Sequence, residues 1–283
     1  MPPIPETGSD ATGPCHPVGI ALPSLTLWYR EMIRFFRQRH RVVSALVTPI
    51  VLWALLGSGL NDILVIEAAG HAPQGYRAYF FTGTLTMVLL FTAIFSTITV
   101  IEDRNEGFLQ AVLVAPVPRT AIVLGKVLGG ATIALIHGMV FLLLWPFVLG
   151  WPSGAGAGIA SAAAAAGVCL VLALGLTALG FCIAWPMDST TGFHAVMMLF
   201  LMPMWFLSGS VFPIAAAPPW LQWVMWCNPM TYGHAALAGT LRQGQTGIPL
   251  TTWQATAVTV FFSAVMVLVA VACVRRPPRE ASA

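Results

Sequence analysis

Six stretches of this chain run for about 20 residues without an Asp, Glu, Lys or Arg: 42–60, 78–101, 127–150, 159–185, 193–211 and 253–274. A helix needs a run of that length and character to cross the hydrocarbon core of a bilayer. Charged residues make up 8% of the chain, against about 25% in soluble domains. A soluble fold of this size would need far more polar surface to cover its core. The expected fold class is therefore an all-α, multi-pass membrane protein with six transmembrane helices. A net charge of +3 is too small to point to nucleic acid.

The basic residues set the expected orientation. Arg30, Arg34, Arg37, Arg39 and Arg41 precede the first run; Arg104, Arg119 and Lys126 lie between the second and third; Arg275, Arg276 and Arg279 follow the sixth. Only Arg77 and Arg242 fall on the other side. The positive-inside rule then puts both termini in the cytoplasm, as an even number of spans requires. Residues 1–22, rich in Pro, Gly, Ser and Thr, read as a disordered cytoplasmic tail, 42–276 as the six-span domain and 277–283 as a short cytoplasmic tail. The five cysteines form no CxxC pair and read as small buried hydrophobes.

Residues 23–41 carry two interleaved patterns. Leu25, Trp28, Tyr29, Met32, Ile33 and Phe36 fall on one face of a helix, and Arg30, Arg34, Arg37 and Arg41 on the other. This is the pattern of an interfacial helix with arginines directed at anionic headgroups, so membrane lipids are expected partners; a purely topogenic basic flank is the plainer alternative. Between the fifth and sixth runs, SGSVFPIAAAPPWLQWVMWCNPMTYGHAALAG is too broken for a span and too apolar for a free loop. It reads as short re-entrant or interfacial outer helices, serving as a cap or in gating.

Charge chemistry inside the spans is sparse. The expectation is that no Asp, Glu, Lys or Arg lies in the core of any span, whereas proton- or ion-coupled carriers keep such groups there. His137 is the one intramembrane ionisable residue, and a lone histidine is more often a hydrogen-bonded packing residue than a proton relay. No catalytic constellation can be assembled. GTLRQGQT (239–246) has both glycines of a phosphate loop but Gln245 in place of the lysine, and no strand precedes it.

Against that background, IEDRNEGFLQAVLVAPVPRTAIVLGK (101–126) gathers Glu102, Asp103, Arg104 and Glu106 in one short loop. Asp103 or Asn105 can cap a helix beginning near Glu106, with acidic groups suited to its dipole. The helix would run for about three turns through Leu113 and stop at Pro116 and Pro118. Phe108 with Val112, and Leu109 with Leu113, form apolar pairs that the membrane surface or a partner must cover.

This stretch resembles the first cytoplasmic loop of ABC-2 type export permeases, with its acidic-basic start, Gly after Glu, apolar turn, proline step and Gly-Lys. FLSGSVFP (206–213) and NPMTYGHAALAG (228–239) are similar to that family's fifth-span exit and Asn-Pro-x-Thr-Tyr element. The resemblance covers about residues 24–276. It implies a permease subunit that is not itself an enzyme and carries no cofactor, with ATP and Mg on a separate ABC ATPase. It implies a second permease protomer, with a homodimer the simplest form, in a bacterial inner membrane. It makes Glu106, Gly107, Phe108, Leu109 and Val112 the ATPase-docking coupling helix, with Glu102 and Arg104 anchoring the second span. Trp28, Arg30, Arg34 and Arg37 would form the interfacial helix, and Phe212, Pro213, Asn228, Pro229 and Tyr232 the outer re-entrant element. Family members export glycans, lipid-linked oligosaccharides and hydrophobic drugs, and a path without fixed charge suits such cargo. Two departures stand out. Arg242 comes late after the Asn-Pro-x-Thr-Tyr element, and PMDSTTGF (186–193) has no basic residue; there Asp188 or Ser189 is expected to cap the fifth span. The competing functions are a secondary carrier, which should show intramembrane charges and repeated halves, and a lipid-modifying enzyme, which should show His, Asp or Glu clusters at the membrane face.

Overall fold

The computed structural model describes residues 19–61, 65–66, 74–150, 155–241 and 249–275. Residues 1–18 of the proposed tail 1–22, the proposed tail 277–283, Arg242 and most of 239–246 lie outside the described residues, as do the side chains of Arg39 and Arg41; Ala21 and Leu22, the end of the proposed tail, already belong to the first helix.

Apart from a two-residue antiparallel pairing of Val65–Ile66 with Gln74–Gly75, the described elements are helical. Five helices are long and apolar enough to cross a membrane: Tyr76–Asn105, Arg119–Val148, Ala157–Ala184, Thr190–Ser210 and Thr252–Arg275. The first predicted span is shorter. Its helix, Arg39–Gly59, has an apolar part of Val43–Gly59, about 25 Å long at 1.5 Å per residue against a core of about 30 Å. In chain order the elements are α1 (Ala21–Arg37), α2 (Arg39–Gly59), α3 (Tyr76–Ser96), α4 (Ile98–Asn105), α5 (Phe108–Val114), α6 (Arg119–Leu142), α7 (Trp145–Leu149), α8 (Ala155–Ala184), α9 (Thr190–Trp205), α10 (Pro219–Cys227), α11 (Pro229–Thr240) and α12 (Thr252–Arg275).

α3 is the central helix and packs against α2, α6, α8, α9 and α11. Its polar residues suit that place because they turn their hydroxyls on their own helix. Thr84 donates to Phe80 O at 2.8 Å and Thr86 to Thr82 O at 2.7 Å, so burial leaves no open donor. α12 lies on the periphery against α8, where Ser263 donates to Val171 O at 2.7 Å.

Both predicted termini of the fifth span hold. Ser189 caps α9, accepting from Gly192 N at 3.1 Å. At the other end Pro203 removes a backbone donor, and the helix loosens into a π turn, Phe206–Ser210, with Gly209 at φ 81°. That positive φ is a region an L side chain enters at a cost.

Contacts define two ends of the bundle. Arg30, Arg34, Arg104 and Lys126 share acidic partners with one another or with the α8–α9 turn, and Arg119 donates to Val274 O at 3.3 Å. At the opposite end Arg77 sits over the Trp53 ring, and the hydroxyl of Tyr76 reaches Val211 O at 3.1 Å.

Candidate functional site

The predicted coupling loop is built differently from its sequence reading. α4 continues the second span by another two turns, so Glu102, Asp103 and Arg104 sit on the end of a span rather than in a loop. Neither Asp103 nor Asn105 caps the short helix. α5 starts after Gly107, which holds φ 77° and has no side-chain cap. Asn105 instead donates to Asp188 O at 3.3 Å. The helix is seven residues, about two turns rather than three.

Asp103 lies at the centre of a buried ion cluster. Its side chain is fully buried and accepts four hydrogen bonds. Arg30 clamps it with Nη1 at 3.0 Å and Nη2 at 2.9 Å, Arg34 Nη1 stands at 2.7 Å, and Lys126 Nζ donates to Oδ2. Lys126 also meets Glu31 Oε1 at 2.6 Å. Arg34 Nη2 serves Glu102 at 2.8 Å and Glu106 at 3.2 Å. The hydrogen bond to Asp103 raises the Arg30 pKa above its ordinary value, against the opposing effect of burial. Asp103 and Lys126 lie outside the charge-free runs 78–101 and 127–150 but inside the long helices that contain them, Tyr76–Asn105 and Arg119–Val148. They fit because each charge meets an opposite one at hydrogen-bond distance.

The same cluster corrects the expected direction of Arg30 and Arg34. They turn inward to carboxylates of α4 and the loop rather than outward, while Arg37 is exposed at the end of α1. The apolar stripe of α1 also divides. Trp28 and Met32 turn toward α6, joined by Leu27 and Phe35, and Trp28 Nε1 donates to Thr132 Oγ1 at 3.1 Å. Leu25, Tyr29, Ile33 and Phe36 face outward. Close approach of α1 and α6 depends on Gly125 and Gly129. A Cβ on the first would fall 2.6 Å from Leu27 Cβ, and on the second 2.9 Å from Glu31 Cβ.

These contacts split the predicted docking set. Leu109 is buried beside Leu27 and Ile122, with Phe108, Val112, Leu113 and Trp185 packed around them. Arg30 lies over the Phe108 ring, 3.6 Å from its centroid. Glu106 stays exposed, and the outward residues of α5 are Gln110, Ala111 and Val114, spaced as one helical face. Arg104 ties the same region to the α8–α9 turn, at 3.2 Å from Met187 O and 2.9 Å from Asp188, and it also donates to Trp185 O.

Sequence reasoning missed Glu31 and the close approach at Gly125 and Gly129, and it read Lys126 only as a basic loop residue and part of the Gly-Lys step. A signal was present. Glu31 falls on the Leu27–Glu31–Phe35 line of α1, a lone acid among buried apolar residues.

The outer element forms a second polar site. Asn228 caps α11, accepting from Met230 N at 3.0 Å, and Pro229 occupies the first helical position. Its amide donates to Met204 O at 2.6 Å, and Tyr232 OH to Trp226 O at 2.8 Å. Pro213 starts a turn at Ile214–Ala216, and Phe212 packs against the buried cluster of Ile214, Ala217 and Met225. The π turn's loosened carbonyls are taken up from outside: Tyr79 donates to Gly209 O and Thr231 to Leu207 O at 3.3 Å. His234, also missed, is buried with Nδ1 3.2 Å from Thr86 Oγ1. The Thr86 proton is committed to Thr82 O, so His234 Nδ1 is the donor. His137 Nδ1 donates to Ile133 O at 2.8 Å, and its ring meets Phe35 edge-on, as a packing residue.

Comparison with known proteins follows this geometry. Residues 24–241 match the family model of the ABC-2 type transporter. The chain named transport permease ycf38 in Pyropia yezoensis is 24% identical over 212 residues, 75% of this chain and 70% of that one. Its namesake in Cyanophora paradoxa is 24% identical over 204 residues, 72% and 68% of the two chains. The multidrug ABC transporter permease YbhR of Escherichia coli strain K12 is 24% identical over 175 residues, 61% of this chain and 46% of that one. A multi-pass helical chain that matches this family from α1 to the end of α11 belongs to the ABC-2 type transporters.

Proposed function

We propose that this chain is the membrane-spanning subunit of an ATP-driven exporter, with six spans, both termini in the cytoplasm and ATP hydrolysis on a separate ABC ATPase. The chain crosses a bacterial inner membrane and works as two protomers, the simplest form being a homodimer. The observation that carries the reading is α5: a short helix held on its inner side and open on its outer side. Leu109 and Phe108 seat it on α1 and α6, and the Asp103 cluster fixes the helices beneath it. A force applied to Gln110, Ala111 and Val114 is then delivered to α4, α1 and α6 together. Docking in this reading uses the outward face, with Glu106 and Gly107 at its start; Phe108, Leu109 and Val112 act as the seat.

α2 serves as the first span, bringing the number to six, by using its full length, Arg39–Gly59, about 32 Å at 1.5 Å per residue. The cargo is apolar or amphipathic: a hydrophobic drug, a lipid-like molecule or a glycan. The multidrug permease name of one relative supports the first. The outer hairpin of α10 and α11 caps the export path.

The test is affinity purification of the tagged chain in mild detergent beside Val114→Asp. Val114 is 89% exposed, so the substitution leaves the fold intact. Recovery of an ABC ATPase with the parent, and its loss from the variant, is expected. A parent chain that purifies alone under conditions preserving membrane complexes overturns the reading.

A further inference from the structure

The ion cluster is unbalanced, and the imbalance lies at the open face of α5. Among the described residues its ion pairs join three cations, Arg30, Arg34 and Lys126, to four carboxylates, Glu31, Glu102, Asp103 and Glu106. The buried members are matched at short range. Asp103 takes all three cations, and Glu31 takes Lys126. The shortfall is left to Glu102 and Glu106, which share the single Nη2 of Arg34 at 2.8 and 3.2 Å. Arg104 is committed elsewhere, to Asp188 and the carbonyls of the α8–α9 turn.

Water offsets this shortfall while Glu106 is open, its side chain being 59% exposed. A protein surface laid over Gln110, Ala111 and Val114 would displace that water. An apolar surface would strand a carboxylate whose only cation among the described residues is already divided among three acids, which is costly. A basic side chain would complete the count and add a charge-assisted hydrogen bond.

Building on the docking face proposed above, we infer that the ATPase subunit presents an arginine or lysine to Glu106, beside an apolar patch for Ala111 and Val114. Glu106 is then the polar contact that sets the register of docking, and Arg34 is the spring behind it: when the partner's cation takes Glu106, Arg34 Nη2 is left to Glu102 alone.

The experiment uses the full chain and the ATPase subunit that co-purifies with it. Affinity is measured at low and high KCl for the parent, Glu106→Gln and Glu106→Lys. The expected result is about tenfold weaker binding for Glu106→Gln, with a flatter salt dependence, and a larger loss for Glu106→Lys. Replacing one rim Lys or Arg of the ATPase by Glu should restore binding to Glu106→Lys. Unchanged affinity in both variants, with Val114→Asp still abolishing binding, overturns the inference and leaves the docking reading standing. Absence of any bound ATPase on the parent overturns both. Glu106→Gln is isosteric and exposed, so a folding defect does not confuse the comparison.

Discussion

Lys126 Nζ lies 2.6 Å from Glu31 Oε1, and neither side chain is more than 5% exposed. This pair joins α1 to α6, and through Asp103 it extends to α4.

Removing one member weakens the rest. Lys126→Met leaves Glu31 with Arg30 alone, at 3.8 Å, and takes one of the three cations from Asp103, at a cost of about 3–5 kcal/mol for a broken buried pair. Glu31→Gln combined with Lys126→Met should recover part of that loss. Thermal unfolding of the purified chain in one detergent reads both, and strictly additive losses would sink the pairing.

The α1–α6 contact depends on two missing side chains. Gly129→Leu should push α1 off α6, since even a Cβ there meets Glu31 Cβ at 2.9 Å. Cysteines at positions 28 and 132, where the Trp28 indole nitrogen reaches the Thr132 hydroxyl at 3.1 Å, should be bridged by a short bifunctional thiol reagent and lose most of that yield when Gly129→Leu is added.

Gly107 should tolerate Asn but not Val. Its φ of 77° costs an L residue about 1–2 kcal/mol, and asparagine least. With the ATPase bound, Gly107→Val should lower ATP-driven export more than it lowers ATP hydrolysis, because α5 would be set at a different angle. Equal losses in both would place the defect in docking itself.

The outer hairpin hangs on Asn228. Asn228→Ala loses the α11 cap and the bond to Met204 O together, about 1–3 kcal/mol. Asn228→Asp keeps the cap but sets a carboxylate against that carbonyl, so it should rescue little. Unfolding midpoints of the three proteins give the order, and a full rescue by Asp would refute the second bond.

Much of this architecture could be read from local pattern. Apolar runs marked the long helices, prolines marked the stop of α5, and Ser189 was a legible cap. The outer Asn-Pro and Gly-rich segments broke where expected, because prolines lack a donor and glycine alone enters positive φ freely. The ion cluster was not legible. Asp103 was read as a cap and Lys126 as a loop residue because nothing local shows that α4 and α6 run on past the apolar stretch. Their partners lie 73 and 95 positions away in α1, and periodicity carries no information at that range. Arg30 and Arg34 were assigned to headgroups, since α1 alone cannot announce the carboxylates waiting for them.

That long reach sets an order of assembly. α1 leaves the ribosome first, yet the glycine seat on which it rests belongs to α6, about 100 residues later. At 5–20 residues per second the delay is about 5–20 s. For that interval Glu31 has no lysine and Arg30 and Arg34 have no aspartate, so nascent α1 must be held at a wet surface. Only emergence of α6 allows those charges to leave water, and with them the short helix α5 acquires its bearing. The short helix α5 is therefore finished only after the earlier-made α1 has been called back to it.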